Sequence, residues 1–448
     1  MEPQASDRES VARYVEAVRQ QVLAHRVDAS ATKAATQVPG DGDAVTRLGN
    51  ILKLKDDAPG DTAHPPAGAA PYLERSVAVS LVQSAVEEHV TQRTAAGVAG
   101  WWTRVTTALE RLLHPGRYTP DDPNWVIKIA ESFLGHLADG NHPFNPEPAE
   151  HTISDSARLV LVGDWGTGLP RARAVAALMA EEVRSAIADG RDVHVIHLGD
   201  VYYSGLASEY QRNALAYWPI SPAQAGDRVT SWALNGNHDM YSGGYGYFQT
   251  MLSDPRFRFQ RSADGRPTSY FRLTSPTWDF VGLDTSWYPE VLFEGLQAVL
   301  QDPQGQYVQS TTGGDRAHRR KLALLSHHQY VSAYSPSDIG PVLGSKLGPV
   351  LQQDGVTAWW WGHEHRCMGF APAPGVRFPR CMGNGGVPTA PPAGSLPASV
   401  AWENRDQIVD AGQTWLRFGY TVLDLHGDRI EARYLNDRGD LVHQEDIA

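Results

Sequence analysis

The sequence predicts a layered α/β domain preceded by a helical region, and three observations carry that reading. Beyond residue 151, short apolar runs end in Gly-Asp, Gly-Asn-His or Gly-His turns. An amphipathic helical stretch separates the first two runs, the strand, helix, strand alternation of layered α/β folds. Before residue 150, apolar residues recur instead at the three- and four-residue spacing of a helix face.

Taken in chain order, Ser10 to Leu23 reads as one amphipathic helix. Residues 28–72, rich in Ala, Gly, Pro and Asp with little periodicity, read as a linker or an extended wrap. Val79, Val82, Val86 and Val90, then Val105, Leu109, Leu112 and Leu113, mark further helices. Asp122-Pro123 sets an N-cap before a proline at the first helical position, and Val126, Ala130, Phe133, Leu134 and Leu137 follow as far as Gly140. The expected division is therefore 1–150, a helical region with a Pro/Gly/Ala-rich linker, and 151–448, the α/β domain. In the second unit, Leu159 to Val162 and Val193 to Leu198 are expected strands. Between them a helix runs from Pro170 to about Ala188, with Val175, Leu178, Met179, Val183 and Ile187 on one face. Strands are also expected over Ser231 to Leu234, Asp279 to Leu283, Leu322 to Leu325 and Val356 to Trp361. Gly419 to Leu425 and Arg429 to Leu435 read as a hairpin around His426-Gly427-Asp428.

Composition limits what such a chain does. At 448 residues, with 42% hydrophobic and 20% charged residues, it can bury a core without staples, which excludes disordered and disulfide-scaffold classes. The net charge of −12 counts against wrapping nucleic acid, which needs a basic face. Only Cys367 and Cys381 are present, a pattern that suits a reducing compartment. The first thirty residues carry charges throughout, and there is no apolar run of about 18 residues, so a cytoplasmic protein without a membrane partner is expected.

Five strand ends carry polar clusters of metal-ligand type. They are Asp164 in Gly-Asp-Trp-Gly, Asp200 and Tyr203 in Gly-Asp-Val-Tyr-Tyr, Asn237 and His238 in Gly-Asn-His-Asp, His327 with His328, and His363 with His365 in Gly-His-Glu-His. In open α/β sheets the carboxyl ends of strands converge on one crevice, so residues far apart in sequence can share a site. Carboxylates, a phenolate and imidazoles mix hard and borderline donors, which suits iron, zinc or manganese. The overall acidity does not exclude an anionic substrate, because bound cations reverse the charge locally.

These motifs resemble those of the calcineurin-like metallophosphoesterase superfamily, and more closely its purple acid phosphatase branch, over roughly residues 157–435. Gly-Asp-x-Gly combined with Gly-Asp-x-x-Tyr is the form of that branch, and Gly166 stands where other branches carry a histidine. The resemblance implies a four-layer α/β sandwich, two mixed sheets flanked by helices, with the N-terminal helical extension outside it. It implies two metal ions, iron with iron, zinc or manganese. Asp164, Asp200, Tyr203 and His365 would hold one, and Asp200, Asn237, His327 and His363 the other, Asp200 bridging. It also implies hydrolysis of a small-molecule phosphate monoester by metal-bound hydroxide. His238 would stabilise the transition state or protonate the leaving oxygen, with Asp239 orienting it.

Neighbouring residues receive plainer readings. His327 is preferred to His328 as the ligand because it comes first after the strand; His328 is expected just behind it, assisting the leaving group, since residues 329–355 contain no histidine. Tyr202 reads as a packing neighbour of Tyr203, and His194, His197, Cys367 and Trp359-Trp360-Trp361 as core. Arg316, Arg319, Arg320 and Lys321 read as a solvated strand entry, while Tyr241, Tyr245 and Tyr247 fit a substrate pocket or a turn equally. Two rival functions remain: a phosphodiesterase acting on cyclic nucleotides or other diesters, because the same core serves both, and an inactive scaffold that binds partners. The presence of every expected ligand side chain weighs against the scaffold. A protein partner of the N-terminal region cannot be named from the sequence.

Overall fold

The structure is a computed structural model, and it describes residues 141–202, 205–240, 242–287, 300–312, 320–334, 339–352, 355–410 and 413–448. The helices expected between Ser10 and Gly140, and the linker over 28–72, lie outside the described residues.

The chain builds two large mixed sheets. The first contains β1 (Ala149–Thr152), β5 (Phe271–Thr274), β6 (Trp278–Leu283), β7 (Lys321–Ser326), β8 (Val356–Trp361), β9 (Cys367–Phe370), β10 (Val376–Met382) and β11 (Val400–Glu403). Their spatial order is β1-β5-β6-β7-β8-β10-β9-β11, with β6, β7, β8 and β10 mutually parallel. The second holds β2 (Arg158–Val162), β3 (Val193–His197), β4 (Val229–Ala233), β14 (Gly419–His426), β15 (Arg429–Asn436) and β16 (Leu441–Ile447), in the order β16-β15-β14-β2-β3-β4. Here β2, β3 and β4 are parallel, and β14 to β16 form an antiparallel extension. A small hairpin, β12 (Gln407–Asp410) with β13 (Gln413–Leu416), stands apart from both. Because β1 pairs in parallel with β5, the strand spanning residue 150 belongs to the α/β domain.

The strand period of two explains the layering. Leu159 and Leu161 of β2, Ile196 of β3 and Trp232 of β4 meet Phe280, Ala323, Leu325 and Trp360 of the first sheet in the core between the sheets. The alternate residues Val160, Val162, Val193 and Val195 face outward onto α1 (Pro170–Ala188). On the far side of the first sheet, Val281, Leu324, Trp359 and Trp361 pack against α3 (Asp302–Thr312), α4 (Ile339–Lys346) and α5 (Gly348–Gln352). Helix, sheet, sheet and helix make four layers. The tryptophan run is core, as expected, but split between two cores: Trp360 lies between the sheets, and Trp359 and Trp361 lie under the helices.

Helix α1 begins with Pro170 at its first turn and buries Ala172, Val175, Ala176, Met179, Val183 and Ala186. Ile187, expected on that face, is exposed, because Ala186 takes the last core-facing position.

Candidate metal centre

The parallel strands of both sheets deliver their C-terminal ends to one edge of the sandwich. There β2 leads to Asp164, β3 to Asp200, β4 to α2 (Asn237–Met240), β7 to His327 and β8 to His363 and His365. Among the described residues, the non-glycine residues with positive φ are Asp164 (54°), Asp200 (73°), His363 (67°) and His365 (42°). Left-handed backbone costs on the order of 1–3 kcal/mol per residue and persists where the surroundings over-determine it, characteristically at functional sites. All four strained positions are expected metal ligands.

Two donor groups emerge. In one, His327 Nε2 lies 3.0 Å from Asn237 Oδ1 and 3.2 Å from His363 Nδ1, and His363 Nδ1 is 3.1 Å from the same Asn237 oxygen. In the other, Asp164 Oδ1 is 3.4 Å from His365 Nε2. Asp200 Oδ2, 3.6 Å from His327 Nε2, reaches the first group, and through the Tyr202 hydroxyl, 3.0 Å away, it also belongs to the second. One carboxylate oxygen thus faces both.

The remaining lone pairs are tied to the frame. Asp164 Oδ2 accepts the backbone N–H of His363 (2.7 Å), and Asp200 Oδ1 accepts that of His238 (3.0 Å). The Nδ1–H of His327 donates to the Leu198 carbonyl (3.0 Å), which leaves Nε2 as the lone-pair nitrogen directed into the donor group. Glycine allows this closeness: a Cβ on Gly236 would sit 2.0 Å from Asp200 Oδ1, and one on Gly362 2.5 Å from Asp164 Oδ2. Gly383, in the turn after β10, presses on Asp164 in the same way. It was not singled out from the sequence, where the Gly-Asn-Gly-Gly run at 383–386 was the available signal.

Electrostatics favour a cation here. Burial pushes the Asp164 carboxyl up to about 7, opposed by His327 and reinforced by the Asp200 charge. Burial acts on Asp200 too, but His327, His238 and the His238 backbone N–H outweigh it and hold that carboxyl down, to about 2. Two buried carboxylates this close ionise together only beside positive charge. Hard oxygens and neutral imidazoles in two adjoining groups fit a pair of borderline divalent or trivalent ions.

Several expected site residues change part. Tyr203 lies outside the described residues. Tyr202, read as a packing neighbour, places its buried hydroxyl 3.0 Å from Asp164 Oδ1, 3.0 Å from Asp200 Oδ2 and 3.2 Å from His365 Nε2. The turn through Gly199 (φ 103°) and Asp200 (φ 73°) ends strand alternation, so counting from Asp200 no longer says which tyrosine points inward. Asp239 was expected to orient His238. Instead its Oδ2 accepts the backbone N–H groups of Asp200 (2.8 Å) and Gly236 (2.7 Å), while Oδ1 accepts that of Val201 (2.9 Å) and the Tyr210 hydroxyl. Four donors fill a carboxylate's acceptor positions, so Asp239 pins the loop after β3 to the loop after β4. His238 lies buried with its ring 4.6 Å from that of Tyr202, and His328 lies buried beside His327 and His363.

The plainer readings also find their places. His194 and His197 are buried on β3, and Cys367 is a buried free thiol. Tyr247 is fully buried and donates to the Ala233 carbonyl (2.7 Å), so it belongs to the core. Arg320 donates to the Ser275 carbonyl at the entry to β7, while Arg316, Arg319 and Tyr241 lie outside the described residues.

The two-sheet α/β sandwich thus bears paired carboxylate and imidazole donor groups at its strand ends, a candidate metal centre. Residues 157–367 match the family model described as calcineurin-like phosphoesterase, a family of phosphoric ester hydrolases. Among solved structures it is similar to GAP50, the anchor in the inner membrane complex of Plasmodium (14% identity, TM-score 0.45, covering 65% of this chain and 88% of that one). It is also similar to a dimetal phosphatase from Danio rerio (14%, 0.42, 65% and 99%) and to a 5'-nucleotidase from Candida albicans (12%, 0.34, 66% and 53%). No curated protein matches it in sequence. Among the described residues, no helix is long and apolar enough to cross a membrane.

Proposed function

We propose that this chain is a dinuclear metal-dependent phosphomonoesterase of purple acid phosphatase type, acting on a small-molecule phosphate ester. The observation that carries the reading is Asp200 Oδ2, placed within reach of both donor groups. Asp164, Asp200, Tyr202 and His365 would hold one ion, and Asp200, Asn237, His327 and His363 the other. A phenol among the first four suits iron there, with iron, zinc or manganese beside it. Once bound, two such ions supply the positive charge and the activated water that phosphoester hydrolysis requires.

The chain's own residues do the rest. Buried Asp164 and Asp200, each anchored by a backbone N–H, keep the donor positions fixed, so little reorganisation is needed when substrate arrives. His238 is attached directly to the Asn237 turn and held against Tyr202; it delivers a proton to the leaving oxygen or steadies the negative charge developing there. Elemental analysis of protein purified without added metal, followed by assay on aryl phosphate, bis-aryl phosphate and cyclic nucleotides, tests the proposal. Two ions per chain and dominant monoester turnover are expected. Dominant diester turnover would point to a phosphodiesterase, and absence of both metal and metal-restored hydrolysis to a binding scaffold. His238→Ala should lower turnover by about 10²–10⁴ with metal content intact; loss of metal in that variant would contradict the role.

A further inference from the structure

His328 occupies a position that the two donor groups do not use. Its Nδ1 faces the Thr285 carbonyl oxygen at 3.0 Å, with Thr285 Oγ1 and Ser286 Oγ each at 3.2 Å. A carbonyl only accepts, so the ring proton sits on Nδ1 and donates to it, and Nε2 carries the lone pair. The residue is held at its backbone as well. Its N–H donates to Thr285 Oγ1 (3.1 Å), and its carbonyl accepts the Ser326 hydroxyl (2.8 Å). The anchoring loop is itself fixed, since Gln304 accepts the Asp284 N–H and donates to the Asp284 carbonyl, both at 2.9 Å. A metal-ligating imidazole characteristically donates its other N–H to a carbonyl in this way, and His327 does so through Leu198.

The ring itself is buried against the second donor group. Its centroid lies 4.7 Å from that of His363 and 5.0 Å from that of His327. One ring nitrogen from each of His327, His328 and His363 lies within 4.8 Å of the others. Metal–nitrogen bonds of about 2.0–2.1 Å place ligands on one ion up to about 4.2 Å apart, so the nitrogens need close by no more than about 0.6 Å to share it.

We propose that His328 is a third imidazole ligand of the ion held by Asn237, His327, His363 and Asp200. This rests on the dinuclear reading above and alters it: the position gains a third nitrogen donor, which biases it towards zinc or iron over manganese, and His328 is removed from any part in protonating the leaving group.

The test is cobalt(II) titration of the full-length, chelator-stripped protein. Proton NMR of the loaded wild type should show four hyperfine-shifted exchangeable imidazole N–H resonances, one each from His327, His328, His363 and His365. His328→Ala should lose at least about tenfold in affinity for one of its two ions, and added imidazole should restore it. Three shifted resonances in the wild type, or a folded His328→Ala chain binding both ions with wild-type affinity, would overturn the assignment. The resonance count needs no variant, so misfolding of His328→Ala does not mute the test. A wild type that binds no pair of ions and hydrolyses no phosphate ester would sink the dinuclear reading and this assignment with it. A wild type that does both, while the variant keeps both ions, sinks the His328 assignment alone.

Discussion

At the scale of single residues, the site shows how one backbone turn sets which groups a side chain meets. Motif spacing nominated Tyr203, which lies outside the described residues; among the described residues the hydroxyl that reaches Asp164, Asp200 and His365 is that of Tyr202. If iron occupies that position, a tyrosinate-to-iron absorption band is expected. Tyr202→Phe should abolish it and Tyr203→Phe should leave it, as the visible spectra of the two purified variants would show. The carboxylates, Asn237 and the histidines at the strand ends were legible because each follows an apolar strand in a short polar turn. The approach of Tyr202 to the carboxylates was not, because Asp200 at φ 73° redirects the chain before it.

Elements bring the second lesson. The two loops that carry Asp200 and Asn237 belong to adjacent parallel strands, and Asp239 joins them by accepting three backbone N–H groups and the Tyr210 hydroxyl. In Asp239→Asn, an NH₂ would confront donors where an acceptor is needed. Hydrogen bonds to charged groups contribute about 1.5–3 kcal/mol each, so thermal or urea unfolding should show a loss of at least about 2 kcal/mol, with weakened binding of both ions in a metal titration. A variant with wild-type stability and metal affinity would refute the clamp. Element boundaries were read best where the hydrophobic pattern is continuous: the helix from Pro170 to Ala188 and the strand Val356–Trp361 fall where expected. Strand β10 is not legible in the sequence because Arg377, Pro379 and Arg380 interrupt its apolar residues. Pro379 is tolerated because β9 pairs with β10 only from Arg380 onward, and the buried Arg380 is matched by Glu445. Strand β16, mostly polar and exposed or half-buried up to Ile447, is an edge strand paired only with β15.

For the whole molecule, double coverage of both sheets has a thermodynamic consequence. His194 and His197 sit on β3 between two layers, and burial pushes each down to about 3. In the unfolded chain they take up protons near the ordinary value of about 6.5. Their folded pKa is depressed, so protonation favours unfolding, and stability falls as pH drops from about 6.5 towards 3. Buried Asp164 titrates in the opposite sense, so a difference between variants isolates the histidine. Relative to wild type, metal-free His194→Asn should gain about 1.4 kcal/mol per pH unit below 6.5. Urea denaturation of both chains at pH 7.5 and 5.5 measures this, and an unchanged difference would mean that His194 is already protonated or accessible in the folded state.

Sequence by itself determined the α/β class, the order of the parallel strands' polar ends and the chemical kind of site, because apolar periodicity and short ligand-bearing turns are local properties. It also identified one family's motif set. Only the tertiary structure decided that the Tyr202 hydroxyl reaches both carboxylates, that Asp239 is a clamp between loops, and that His328 shares a pocket with His327 and His363. Those outcomes depend on left-handed turns that reset side-chain direction and on contacts between residues about 40 or more positions apart in the chain, neither of which a linear pattern encodes.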